Sequence, residues 1–423
     1  MDRRTALRGL AALGLPLACG RGRRSFRDGS RDGKVQLVLK YQPLGEQETL
    51  RKSLDVFGRL HGVEVVTEAL PNASDLAHQF FLTALEGGAR DFDVFIVDIV
   101  WIREFARAGW LLDLSDAFAP SAIRRDFLSG VAEAVIVAEK TFAVPWYLDV
   151  GVLYRRKDLV ERAPRTYAEL VELAQRGQRD HSPMQGYVWQ GRQYEGLVCN
   201  VFETIWGHGG VTLDSERVLL DTREARSALA YMRSLIERGI SPASVTSSAE
   251  EETRRVFQDG RALFMRNWPY AWREAARPDS RLLGKVDISP LPTQGGDPGH
   301  GVLGGYELAV NAHVAPEKRD AALALVSHLT SAPFNLNLAG AYSRCPARRD
   351  VYDDPRLAEW APLMPKLLPM LEEGRPRPLT PYYAMISDTV QGELSAAVAG
   401  IRAPEEALGR AQVLVDHIIG ASR

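Results

Sequence analysis

The amino-acid sequence predicts an α/β protein divided into about two domains, and three observations carry that prediction. Strand-like and helix-like stretches alternate from Val35 to Val97, which indicates a sheet whose faces are covered by helices. The chain has 423 residues, too many for one ordinary core. Hydrophobic residues make up 45% and charged residues 25%, the balance of a globular protein. The formal net charge of −2 provides no basic field to attract nucleic acid. No apolar run reaches the ~18 residues that span a bilayer.

Residues 1–19 read as a signal peptide. Arg3, Arg4 and Arg8 form a positive n-region, and residues 9–18 form a short apolar stretch. Residues 2–8 resemble a twin-arginine export signal and fit a general secretory n-region equally well. Leu15-Pro16-Leu17-Ala18-Cys19-Gly20 resembles a bacterial lipobox, which would acylate Cys19, although Pro16 stands where Leu is usual. A plain cleaved signal is the alternative. Residues 20–33, rich in Arg, Gly, Ser and Asp, read as a flexible tether. Two cysteines remain in the body, Cys199 and Cys345. In an oxidising compartment they could form a disulfide or stay as separate buried thiols.

The body begins with an alternating strand over 35–41. A helix follows, with apolar Leu50, Leu54, Phe57 and Leu60 at helical spacing. A strand over 63–66, a helix over 76–85 and a fully apolar strand over 94–97 come next. Such sheets bind ligands at the carboxyl ends of their strands, where Asp98 stands. After Pro145 helical patterns dominate, over 167–175, 194–206, 223–238 and 249–258, with a strand over 262–265. A Pro/Gly-rich loop over 290–305 leads to a strand over 308–310 and a helix over 318–329. The last part reads as helices over 356–373, 384–399 and 404–419. No internal repeat is present.

Catalytic signatures are missing. The eight His residues show neither an HxxxH pair nor metal-ligand spacing with Cys, and there is no GxSxG elbow and no P-loop. Gly299-His300-Gly301-Val302-Leu303-Gly304 matches GxGxxG, but it follows a loop and precedes a strand. A dinucleotide site needs a strand before and a helix after. No cofactor is therefore expected. More informative are aromatic residues beside polar ones in six segments, 98–101, 145–149, 189–195, 266–272, 304–307 and 375–383. Rings suit the C–H faces of a sugar, and carboxylates, Arg and Asn suit its hydroxyls. Core packing is the competing reading for each ring alone, and it is the main reading of Trp101, Trp110 and Trp206.

These segments resemble the extracellular solute-binding proteins of sugar ABC transporters, the group of maltose- and trehalose/maltose-binding proteins. The resemblance runs from about residue 35 to 420. It rests on Asp93-Val94-Phe95-Ile96-Val97-Asp98, Glu104-Phe105-Ala106, Gly109-Trp110-Leu111 and Val144-Pro145-Trp146-Tyr147-Leu148-Asp149. Further on it rests on Gln193-Tyr194-Glu195-Gly196-Leu197, Asn267-Trp268-Pro269-Tyr270, Leu303-Gly304-Gly305-Tyr306 and Arg377-Pro378-Leu379-Thr380-Pro381-Tyr382-Tyr383.

The resemblance implies the two-lobed α/β fold of periplasmic binding proteins (type II). Each lobe is a sheet flanked by helices, and the ligand lies in the cleft between them. Lobe 1 would comprise 34–145 plus 303–343, and lobe 2 would comprise 146–302 plus 344–423. It implies a monomer that captures a trehalose- or maltose-like mono- or disaccharide by cleft closure and passes it to membrane permease subunits. The protein would act in the periplasm or on the outer face of the cytoplasmic membrane, anchored through Cys19.

The resemblance also assigns roles. Glu46 and Asp98 would accept hydroxyl hydrogen bonds, Tyr147 would line the cleft at the first crossover, and Trp268 would form an aromatic platform. Gly304 would present backbone to the ligand, and Arg377 would clamp hydroxyls. Tyr306 stands where Trp is usual, which keeps a ring but shrinks it and adds a hydroxyl. Each role has an alternative. Asp98 could cap the following helix, and Glu46 could be a first-turn charge, with Glu48 as its competitor. Arg377 could be a structural ion pair and Trp268 part of the core. Tyr194 and Glu195 could open a helix or line the cleft. The rival functions are an exported glycoside hydrolase using Glu46 and Asp98, and a binding protein for a non-sugar polar ligand.

Overall fold

Strand β1 (Val35–Tyr41) alternates in burial toward its start and is enclosed at its end, because it lies inside a sheet. The computed structural model describes residues 35–44, 47–71, 73–214 and 217–421. β1 pairs in parallel with β2 (Val63–Ala69) and β3 (Val94–Asp98). The crossovers are α1 (Glu48–His61), whose Leu50, Leu54 and Phe57 face inward, and α2 (Ser74–Glu86). All five residues of β3 are buried, the first four as an unbroken apolar run requires and Asp98 in an ion pair with Arg377. Helices α3 (Ile102–Arg107), α4 (Pro120–Asp126) and α5 (Ser129–Val135) follow, then the hairpin β4 (Ile136–Val137) and β5 (Lys140–Thr141). β6 (Val144–Val150) returns to the sheet.

The second lobe starts with β7 (Val152–Arg156), α6 (Tyr167–Asp180), β8 (Gln185–Val188) and α7 (Glu195–Gly207). Thr166 caps α6 by accepting the Glu169 N–H at 3.1 Å. The short pair β9 (Leu213–Asp214) and β10 (Arg217–Val218) precedes α8 (Arg223–Glu237), α9 (Glu250–Gln258), β11 (Ala262–Asn267), α10 (Ala271–Ala276) and β12 (Val286–Ser289). β13 (Leu303–Val310) re-enters the first sheet, followed by α11 (Arg319–Leu329), α12 (Ala332–Tyr342), β14 (Cys345–Pro346), α13 (Pro355–Trp360) and α14 (Met364–Glu372). Finally α15 (Tyr383–Val398) and α16 (Pro404–Gly420) pack back on the second lobe, α15 on α7 and α8 and α16 on α8. The first sheet has the order β14-β6-β13-β3-β1-β2 and the second β12-β7-β11-β8.

Three segments cross between the lobes and are laced together. The Gly151 N–H donates to the Val302 carbonyl (3.1 Å), the Leu303 N–H to Arg375 (2.9 Å) and the Arg375 N–H to Gly301 (3.0 Å). Gly151 is the single residue between β6 and β7. A Cβ there would stand 1.8 Å from Glu203 Oε1 and 2.6 Å from Arg266 Nη2, so only glycine fits. Glu203 and Arg266 form a buried ion pair under this hinge, and Glu203 Oε1 also accepts the Val302 N–H at 2.9 Å.

Several expectations shift. The 145/146 boundary falls inside β6, so Trp146 to Val150 are built into the first sheet. Cys345 and Pro346 also belong to that sheet, paired with Leu148 and Tyr147. The stretch read as mainly helical contains β7, β8 and β12, each only four or five residues long. The 290–305 loop ends sooner, because β13 begins at Leu303 and takes Gly304 and Gly305 into the sheet. The helix expected over 356–373 is two, α13 and α14. No disulfide joins Cys199 and Cys345: both are free buried thiols, one within α7 and the other in the edge strand of the opposite lobe's sheet. The signal peptide, Cys19, the tether and Glu46 lie outside the described residues.

Candidate ligand-binding cleft

The carboxyl end of β3 delivers Asp98 to the seam between the lobes, 7% exposed. Opposite it, Glu195 opens α7, and Arg377 lies on the segment that enters α15. Arg377 joins them: Nη2 donates to Asp98 Oδ1 and Nη1 to Glu195 Oε1, both at 2.8 Å. Glu195 also accepts from Tyr383 Oη (2.8 Å) and from the Ser387 hydroxyl. Burial pushes the Asp98 carboxyl upward and Arg377 opposes that. Burial also works against the Arg377 cation, but Asp98, Cys199 and Glu195 outweigh it and hold its pKa above the ordinary arginine value. Both Nη groups expected to clamp hydroxyls are therefore engaged in the ion-pair arrangement, and only Nε lacks a partner. Asp98 accepts the Val100 N–H at 3.2 Å, so it braces the turn before α3, whose N-cap is Trp101.

A second ion pair lies along the same seam. Arg344 Nη1 donates to Asp149 Oδ2 at 2.8 Å, and its guanidinium lies 4.9 Å from the Tyr147 ring centre and 5.1 Å from that of Tyr270. Burial raises the Asp149 carboxyl, with Arg344 pulling the other way. Tyr147 sits within β6, before the crossing at Gly151, and is 1% exposed. Its ring meets Tyr306 edge-on at 6.0 Å, and Tyr306 in turn meets Trp101 at 6.2 Å, both at 64°. Trp101 thus packs the core and touches the seam through Tyr306. The register of β13 shifts between Tyr306 and Glu307.

Trp268 follows β11 and is half-buried. Its Nε1 donates to Glu250 (3.3 Å), and the Arg266 guanidinium stacks on its ring at 4.0 Å. The ring spans the seam: a Cβ on Gly304 would lie 3.6 Å from its atoms. Asp98, Tyr147, Trp268, Gly304, Tyr306 and Arg377 are therefore brought to one seam. Sequence reasoning missed Arg344, although Tyr342 and Ser343 beside it form a short polar-aromatic cluster, and the Glu203–Arg266 pair, whose members lie 63 residues apart. Asp149 was visible as a member of the Val144–Asp149 stretch.

A cavity of about 340 Å³ remains between the lobes, lined by residues of α2, α7 and α15. A second, of about 400 Å³, lies wholly inside the second lobe beneath Tyr167, Tyr187 and Tyr231. Among the described residues no cluster of His, Cys, Asp and Glu could hold a metal ion, and no helix is long and apolar enough to cross a membrane. The GxGxxG stretch leads into β13 at the hinge, not into a helix.

Two sheet-and-helix lobes joined by three chain segments meet over rings and paired charges, the architecture of a two-lobed ligand-binding protein. Residues 41–334 match the bacterial extracellular solute-binding proteins, and the chain belongs to that family. A relative in Deinococcus radiodurans, described as a probable ABC transporter-binding protein, is 31% identical over 94% of this chain and 95% of its own. A maltotriose-binding protein of Pyrococcus abyssi is 24% identical over 77% of this chain and 69% of its own. The structure of maltose-bound MalE3 of T. maritima superimposes with a TM-score of 0.85 at 37% identity, covering 91% of this chain and all of that one. The family and these relatives are substrate-binding proteins, not enzymes.

Proposed function

We propose that this protein captures a neutral mono- or disaccharide of the maltose or trehalose kind between its lobes and delivers it to the permease of an ABC importer. The observation that carries this reading is the convergence at one seam of Trp268 from the second lobe with Tyr147, Tyr306 and Asp98 from the first. Rings stack on sugar C–H faces and carboxylates accept from hydroxyls. The maltose-bound relative at 37% identity supports the same class. A ligand touching both lobes stabilises the closed form, and no bond is broken. Trp268 and Tyr306 would be the platforms. Asp98, Glu46 and the unpartnered Arg377 Nε would meet hydroxyls, and Gly304 would leave room for the ring. We further infer that the chain is exported by residues 1–19, is monomeric, and is held at the outer face of the membrane through an acylated Cys19.

A thermal-shift panel of maltose, maltotriose, trehalose, sucrose and mannitol tests the ligand class. A ligand at 100 times its Kd adds about 2.7 kcal/mol to the folded state. The expected result is a raised melting temperature with maltose or trehalose. Indifference to every sugar at millimolar concentration, or release of monosaccharide at catalytic turnover, would overturn the reading. The mass of the N-terminal peptide from bacterially produced protein decides acylation of Cys19.

A further inference from the structure

The seam carries another set of charges beside the proposed ligand contacts. The interlobe cavity is lined by Asp75, His78, Trp101, Glu195, Tyr383 and Asp388, among others. Asp75 stands in the first turn of α2, on the first lobe. Glu195 opens α7 and Asp388 lies on α15, both on the second. Asp75 of the first lobe and Glu195 of the second face each other across this cavity, with the Asp75 carboxyl at the start of α7.

The groups around Asp75 come from five elements. On its own helix, His78 has Nε2 2.8 Å from Glu104 of α3. At the end of β3, Asp98 is bound by Arg377, and Arg377 also holds Glu195. On α15, Tyr383 and Ser387 donate to Glu195, and Asp388 is exposed. Closure thus brings Asp75 against two carboxylates of the opposite lobe, while the buried cation at the seam is already bonded to two acceptors.

We propose that Asp75 couples cleft closure to proton uptake: the closed form binds a proton at this carboxyl that the open form releases, so acid favours closure. The inference rests on the reading above that the lobes open and close around a ligand. Burial, Glu195 and Asp388 push the Asp75 carboxyl up to about 6 from an ordinary 3.8, with the Glu195 N–H and His78 pulling the other way. Parting the lobes returns Asp75 to water and removes both opposing carboxylates, which carries it back toward the ordinary value. The closed form holds the proton more tightly, so closure gains as pH falls through about 6. Well above that range Asp75 is ionised in both forms and the coupling disappears. Ligand affinity should then be about two- to fourfold tighter at about pH 5.5 than at about pH 8.

The test is calorimetric titration with maltose, at about pH 8 and about pH 5.5, of the wild type, Asp75→Asn and Asp388→Asn, paired with small-angle X-ray scattering of the ligand-free proteins. Asn keeps the size and an acceptor oxygen of the side chain and removes the charge. The wild type should bind more tightly and be more compact in acid. Asp75→Asn should resemble the acid form at both pH values, and Asp388→Asn should respond more weakly than the wild type. A pH response that survives in Asp75→Asn, or a wild type indifferent to pH in both measurements, overturns the proposal. If maltose, maltotriose and mannitol all fail to bind, the ligand reading falls and scattering alone decides the coupling. A radius that changes with pH in the wild type but not in Asp75→Asn sustains it, and any other result ends it.

Discussion

Replacing Arg377 with methionine keeps most of the side-chain volume and removes the cation that ties Asp98 of one lobe to Glu195 of the other. Both bonds are 2.8 Å long, and the three residues are 3%, 7% and 9% exposed. Removing one partner of a buried ion pair costs about 3–5 kcal/mol, because the remaining charges stay desolvated. For lobes of this size that corresponds to a fall of roughly 6–20 °C in melting temperature. The loss depends on pH with a definite sign. Burial already raises Asp98, and Arg377 is what opposes it. Without the guanidinium the folded-state pKa of Asp98 climbs further above its unfolded value. The folded variant then holds the proton more tightly than the unfolded chain, so its stability falls as pH rises through that range and recovers in acid. Melting curves of the wild type and Arg377→Met at about pH 5 and about pH 8 measure this, and adding Asp98→Asn should restore part of the loss. A variant destabilised by less than about 1 kcal/mol at the higher pH, or one more damaged in acid, would refute the argument that the bridge is a buried, desolvated ion pair.

Three further outcomes are expected. Trp268→Ala should weaken maltose binding by about 2 kcal/mol or more, read by calorimetry, and an unchanged affinity would remove the ring from the site. Gly151→Ala should cost about 3 kcal/mol or more in thermal unfolding, because its Cβ would stand 1.8 Å from Glu203 Oε1. Glu307 is wholly buried with both carboxylate oxygens unpartnered, and burial followed by Asp98 raises its pKa well above normal. Its folded pKa exceeds the unfolded one, so wild-type stability is lost as pH rises toward that value. Glu307→Gln should match the wild type near pH 5 within about 1 kcal/mol and melt higher than it at alkaline pH. A variant that melts lower than the wild type at alkaline pH would contradict a neutral Glu307.

The first lobe was legible because its signals are local. The apolar spacing of Leu50, Leu54 and Phe57 makes α1 wherever that face is buried, and the short β-branched and aromatic run over 94–97 reads as an enclosed strand. Asp98 could be placed at a ligand-facing strand end for the same reason. The second sheet was hidden because β8 and β12 have four residues each, and β7 ends in Arg155 and Arg156, which are buried through bonds to Asp287 and Asp158. A charged strand end reads as surface until its partners are known.

Residue periodicity and chain length determined the α/β class and the division into about two domains, and the resemblance carried by the quoted segments implied the two lobes, the family and the residues that meet at the seam. Only the tertiary structure decided that Arg377 is engaged by Asp98, 279 residues away, and by Glu195, that Gly151 is where the chain changes lobes, and that Cys199 and Cys345 stay apart. Such pairings depend on which elements meet when the lobes close. A charge or thiol that finds its partner across hundreds of residues leaves no periodic trace in the chain between them.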